Sequence, residues 1–177
     1  VLRRLGQLLA LITLISVSWL AWQYYGPRPK GPPLAASIER IDHILIEKSA
    51  NTLTASLDGE IVMQAQISLG FSPTGDKQQE GDGKTPEGLF SIDRRNPRSS
   101  FYLSLGIDYP QPEDIARAKA AGLDPGGDIF IHGQPNALDH LVTLNGDWTE
   151  GCIAISNEQM AQLWSLAPIG TLVEIRP

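Results

Sequence analysis

The chain has a single cysteine, Cys152, in the stretch GDWTEGCIAISN, Gly146 to Asn157. A thiol attacks as its thiolate, so it needs a base or a cationic neighbour to take its proton. His132 is the candidate: it closes the apolar run DIFIHG and is separated from Cys152 by 19 residues. A His at a strand end beside Gly133 can be held while its imidazole faces a groove. Gly151 lets the backbone pass close to a substrate and leaves the Gly151 and Cys152 N–H groups free to face an oxyanion, as acyl transfer requires. Such a pair would form a thioester and return a proton to the leaving amine. On spacing alone a small buried, inert thiol is the favoured reading.

Other chemistries fit the sequence less well. His132, His140 and Cys152 lack the usual zinc spacings, and His140 and His43 read as structural or surface residues. The acids of EGDGKTPE lack the alternating oxygen ligands of a calcium loop, and the glycines there do not form a phosphate-binding loop. No metal and no organic cofactor is expected. Asp147 could polarise His132 or act as a turn acid.

The elements that would position these residues are mostly strands. DHILIEKS alternates apolar and polar residues, and NTLTASLDGEIVMQAQISLG reads as two strands turning at Asp58-Gly59. GLFSIDRR, SFYLSL, DIFIHG and GTLVEIRP supply four more. Two short helices are predicted. PEDIARAKAAG has Pro and acids in its first turn and a Gly stop. SNEQMAQLW starts with a Ser156/Gln159 capping box and turns Met160, Leu163 and Trp164 to the core. Ser72 to Glu87 reads as a long polar loop of the kind that serves function or is disordered.

Charge and hydropathy divide the chain. Fourteen Lys+Arg against 20 Asp+Glu give a net charge of −6. With no basic cluster, a nucleic-acid partner is excluded. Arg3 and Arg4 precede a run from Leu5 to Tyr25 that carries no charge, and about 20 such residues suffice for a membrane-spanning helix. The flanking arginines and the aromatics Trp19, Trp22, Tyr24 and Tyr25 suit a single-pass inner-membrane anchor with everything after Gly26 exported. A cleaved signal peptide is the alternative, without a clear small-x-small site. The expected organisation is an anchor or signal at 1–25, a Pro/Gly-rich linker at 26–37 and one domain at 38–177. In an oxidising compartment an unpaired cysteine is intermolecular, inert or reactive.

IHGQP followed by DWTEGCIAISNEQM, with EGDGKTPEGLFSI upstream, resembles the L,D-transpeptidase (YkuD-type) catalytic domain over about Ile41 to Pro177. The resemblance implies a mainly-β fold, a β-sandwich with the Cys and His in a groove, here with two short helices. It also implies that Cys152 is the nucleophile, His132 the general base, Gly151 a residue of the oxyanion turn and Thr149 a residue that shapes the site. Gly133, Glu150 and Asn157 are candidate substrate contacts. The implied partners are peptidoglycan stem peptides as acyl donor, with a second stem or a lipoprotein lysine as amine acceptor. Two positions depart from the commonest pattern: Glu150 stands where His is usual, and Ala154 where Arg or Asn is frequent. Water as acceptor would instead make the protein a carboxypeptidase or an amidase. A fold kept without turnover would be a wall-binding module, a reading the intact His132 disfavours.

Overall fold

The computed structural model describes Arg4, Gln7 and residues 11–19, 40–138 and 143–177. Most of the expected anchor and linker, and His140, lie outside the described residues. Residues 11–19 are helical and exposed. Among the described residues no helix is long and apolar enough to cross a membrane.

Strand β1 (His43–Glu47) alternates half-buried and buried positions, with Ile44 and Ile46 fully enclosed. This two-residue period turns one face to the core. β2 (Thr52–Leu57) and β3 (Glu60–Gln66) form the expected hairpin. Asp58 (φ 50°) and Gly59 (φ 82°) supply the two left-handed residues that a tight hairpin turn requires. β4 (Gly88–Asn96) is the strand about which the sheet bends. Its first residues, Gly88–Ser91, pair with β8 (Leu172–Arg176), and from Ile92 on it pairs with β5 (Ser104–Ile107), with a register shift between Ile92 and Arg94. β6 (Phe130–His132) and the two-residue β7 (Ile153–Ala154) complete an eight-stranded sheet ordered β3-β2-β1-β8-β4-β5-β6-β7.

The expected sandwich is therefore one continuous curled sheet. Beyond β3 the chain runs back to the opposite edge, where Ser68 bridges Ala154 and Gly70 bridges Thr149. Both Ser68–Ala154 backbone bonds are 2.8 Å. Inside lie Leu53, Leu69, Ile92, Leu105, Ile131, Ile153 and Ile155, each at most 1% exposed. Each such side chain is worth about 1.5–3 kcal/mol of burial.

Helix α1 (Pro112–Ala120) has its proline at the start and a capping box between Gln111 and Asp114. In α2 (Asn157–Leu166) the Ser156 hydroxyl accepts the Gln159 N–H at 3.2 Å. Met160, Leu163 and Trp164 are buried as the pattern predicts. One strand boundary differs from expectation. SFYLSL begins as a turn: Tyr102 has φ 63°, and its N–H donates to Asn136 Oδ1 at 2.8 Å. β5 therefore starts at Ser104, and Phe101 is left free to pack elsewhere.

Candidate active site

β6 and β7 lie side by side and parallel, with Ile131 opposite Ile153 and His132 opposite Ala154. This register sets Cys152, the residue just before β7, beside Phe130. Residues with 19 others between them in sequence thus line a single cleft of about 280 Å³, with Ser99, Phe101, Asp128 and Phe130 among its other walls. The half-buried Cys152 thiol donates to the Asp128 carbonyl at 3.5 Å.

His132 is buried, and its Nδ1 lies 2.7 Å from the Gly133 carbonyl oxygen. A carbonyl can only accept, so Nδ1 carries the proton and Nε2 keeps the lone pair needed by a base. Phe101 packs on the ring at a centroid distance of 4.5 Å, and Trp148 meets it edge-on at 5.8 Å. The turn after the histidine is pinned. The Gly133 N–H reaches the carbonyls of Phe101 and Leu103 at 3.1 and 3.2 Å, and the Gln134 N–H donates to Asn157 Oδ1 at 2.7 Å. A Cβ on Gly133 would sit 2.4 Å from that same Asn157 oxygen. Gly133 and Asn157, read from sequence as substrate contacts, are therefore built into the support of His132. Asp147 does not reach the imidazole: Oδ1 accepts from the Leu69 N–H at 2.8 Å and from Asn51 at 3.0 Å. His43 faces Glu174 at 3.4 Å, on β1 and β8.

Burial pushes the His132 imidazole below its ordinary pKa, opposed by the Gly133 carbonyl. Burial pushes the Cys152 thiol up; a Phe130 N–H opposes this, and the Asp128 and Glu150 carboxylates add to it. Both shifts favour the neutral form of the group concerned.

The turn before the cysteine corrects one expectation. The Thr149 hydroxyl donates to the Cys152 carbonyl at 2.6 Å and accepts the Gly151 N–H at 3.2 Å. The Gly151 N–H is thus engaged, whereas the Cys152 N–H has no partner among the described residues and stays available to an oxyanion. Gly151 has φ 131°, and a Cβ there would lie 2.6 Å from the Lys84 carbonyl oxygen. The polar loop 72–87 therefore packs directly against the turn that leads into Cys152. Lys48 ties that loop down through the carbonyls of Gly75 and Thr85 and the Glu87 carboxylate, at 2.7, 3.0 and 2.8 Å. Glu150 is exposed next to this turn.

Sequence reasoning missed Asp128, Phe101 and Trp148. A polar residue after Gly126-Gly127, immediately ahead of an apolar strand, is the one signal that pointed to Asp128.

A curled mainly-β domain with an imidazole on one strand and a thiol just ahead of the parallel strand beside it defines the class. The L,D-transpeptidase catalytic domain (YkuD) family matches residues 41–175, and the chain belongs to that family. YafK of Escherichia coli (strain K12), which carries a provisional L,D-transpeptidase assignment, is 30% identical over 105 residues, covering 58% of this chain and 35% of that protein. YqjB of Bacillus subtilis (strain 168), provisionally assigned in the same way, is 25% identical over 134 residues, covering 75% of this chain and 70% of that protein. The crystal structure of the helical cell shape determining protein Pgp2 from Campylobacter jejuni superposes with a TM-score of 0.59 at 27% identity, over 83% of this chain and 51% of that one. The chain thus spans about a third of YafK and half of Pgp2.

Proposed function

We propose that this domain transfers the acyl group of a peptidoglycan stem peptide to an amine through a thioester on Cys152. The observation that carries the reading is the single cleft holding Cys152 and a His132 whose Nδ1 proton is committed to Gly133. His132 Nε2 takes the thiol proton as Sγ attacks the amide carbonyl preceding the terminal D-residue. The Cys152 N–H faces the developing oxyanion. On collapse the C–N bond breaks, and the imidazolium returns its proton to the departing D-amino acid. An acceptor amine then attacks the thioester, loses its proton to His132 and restores the thiol. Thr149 holds the turn in shape for these steps. Glu150, exposed two residues before Cys152, is a candidate contact for the substrate. The acceptor is a second stem peptide or a lipoprotein lysine. The N-terminal apolar run would anchor the chain in the inner membrane with the domain facing the periplasm.

The test is mass spectrometry of products from a purified tetrapeptide-bearing muropeptide, with and without an added amine. New cross-linked or amine-exchanged products support transfer. Shortened stems alone would assign water as the acceptor, and intact substrate would overturn the reading.

A further inference from the structure

Asp128 stands at the mouth of the Cys152 cleft with φ 55°, a left-handed conformation that side chains other than glycine adopt rarely. That conformation lets both ends of the residue serve the site. Its carbonyl accepts the Cys152 thiol at 3.5 Å, while its carboxylate takes one hydrogen bond, 3.0 Å, from Arg94 Nη2. Arg94 is itself fixed: its guanidinium lies 4.5 Å from the centre of the Phe130 ring, and Nη1 binds Asp93 at 2.7 Å.

Two carboxylates on one guanidinium leave the group with net negative charge. The Asp128 side chain remains 90% exposed. A carboxylate offers about four lone-pair positions, and Arg94 fills one of them. The other charges that act on the thiol do not restore balance. Glu150 is a further acid, and Lys77 is paired with Asp82 at 2.8 Å.

A carboxylate beside a nucleophilic thiol opposes the thiolate. The arrangement favours reaction only when a cation occupies the carboxylate. A bound ammonium would fill the free acceptor positions and cancel the opposing charge at the moment of binding. It cannot be the attacking amine, which must be neutral and which a carboxylate would keep protonated.

We propose that Asp128 is a specificity-determining residue, receiving a spectator ammonium group of the substrate beside Cys152. The domain thereby selects stem peptides that carry a free amine near the scissile bond. This rests on the acyl-transfer reading and adds to it the charge of the substrate side chain.

The test traps Cys152 in the full chain with two methanethiosulfonates, one with a neutral methyl group and one with a trimethylammonioethyl group. Each forms a mixed disulfide and releases methanesulfinate. In Asp128→Asn and Asp128→Gly the ratio of cationic to neutral trapping rates should fall by up to about fivefold, the upper size of an exposed ion pair. Glycine accepts this φ without strain, so Asp128→Gly keeps the fold while removing the carboxylate. A ratio unchanged in either variant overturns the proposal. With a stem tetrapeptide, the unsubstituted chain should prefer the free side-chain amine over its N-acetyl form in kcat/KM, and Asp128→Asn should lose that preference. Retained preference in that variant also overturns it. If neither peptide turns over in any form of the protein, the acyl-transfer reading fails, and the trapping ratio still decides Asp128.

Discussion

Burial moves the Cys152 thiol up and the His132 imidazole down in pKa, both toward the neutral form, and this sets the expected pH behaviour of the cleft. Alkylation of Cys152 by iodoacetamide should keep rising above pH 9.0, the ordinary thiol value from which burial displaces it upward; a midpoint below that value would contradict the assigned environment. His132 has the opposite sign. Its folded pKa lies below 6.5, so the unfolded chain binds the extra proton first as pH falls. Stability contributed above pH 6.5 is therefore lost as pH drops through the window beneath it, with a slope of up to about 1.4 kcal/mol per pH unit. Denaturant titrations across that window should show a smaller slope in His132→Asn. Thr149→Val removes a buried hydroxyl that both donates and accepts, leaving two backbone groups unpaired. It should cost about 1–3 kcal/mol of stability, and Thr149→Ser should restore most of the loss. At this scale the meeting of the cysteine and the histidine in one cleft was legible, because the motif holds both residue types. The tasks of Gly133, Asn157 and Asp147 were not legible, because each is set by which backbone group happens to lie opposite. Sequence places Asn157 near Cys152, whereas folding places its oxygen on Gln134.

The elements place the site through two devices, one visible in the sequence and one not. The capping box at Ser156 and Gln159 is a local pattern, and it starts α2 where expected. β7 is only Ile153–Ala154, too short to register as a period, and it exists because Ile131 and His132 of β6 lie beside it. Parallel pairing of distant segments leaves no local signature. The loop 72–87 was legible as a loop, but not as a brace: its Lys84 carbonyl occupies the space a side chain on residue 151 would need. That brace hangs on Lys48, whose side chain is 3% exposed and paired with Glu87. Lys48→Met should destabilise the fold by about 3 kcal/mol, as removal of one partner from a buried pair does. It should also slow Cys152 acylation by a carbapenem. Thermal melts and intact-protein mass spectrometry read the two effects, and a variant as stable as the parent would remove the loop from its role as brace.

At the scale of the whole molecule, the mainly-β class and the strand sequence followed from two-residue alternation and turn residues. The curl did not. It depends on the register shift in β4 after Ile92 and on the bridges from Ser68 and Gly70 to the far edge, contacts between segments some eighty residues apart in the chain. Those bridges bring the end of β3 against the strand that follows Cys152, so closing the sheet and building the turn before Cys152 are one event. Substitutions that loosen the closure should therefore lower stability and acylation together. The measurement that bears most directly on the account is intact-protein mass spectrometry of the chain incubated with a tetrapeptide-bearing muropeptide, alongside Cys152→Ala. The account predicts a thioester adduct that maps to Cys152, release of one D-amino acid per adduct, and neither product in the variant. Turnover that survives Cys152→Ala, or an adduct on any other residue, would contradict it.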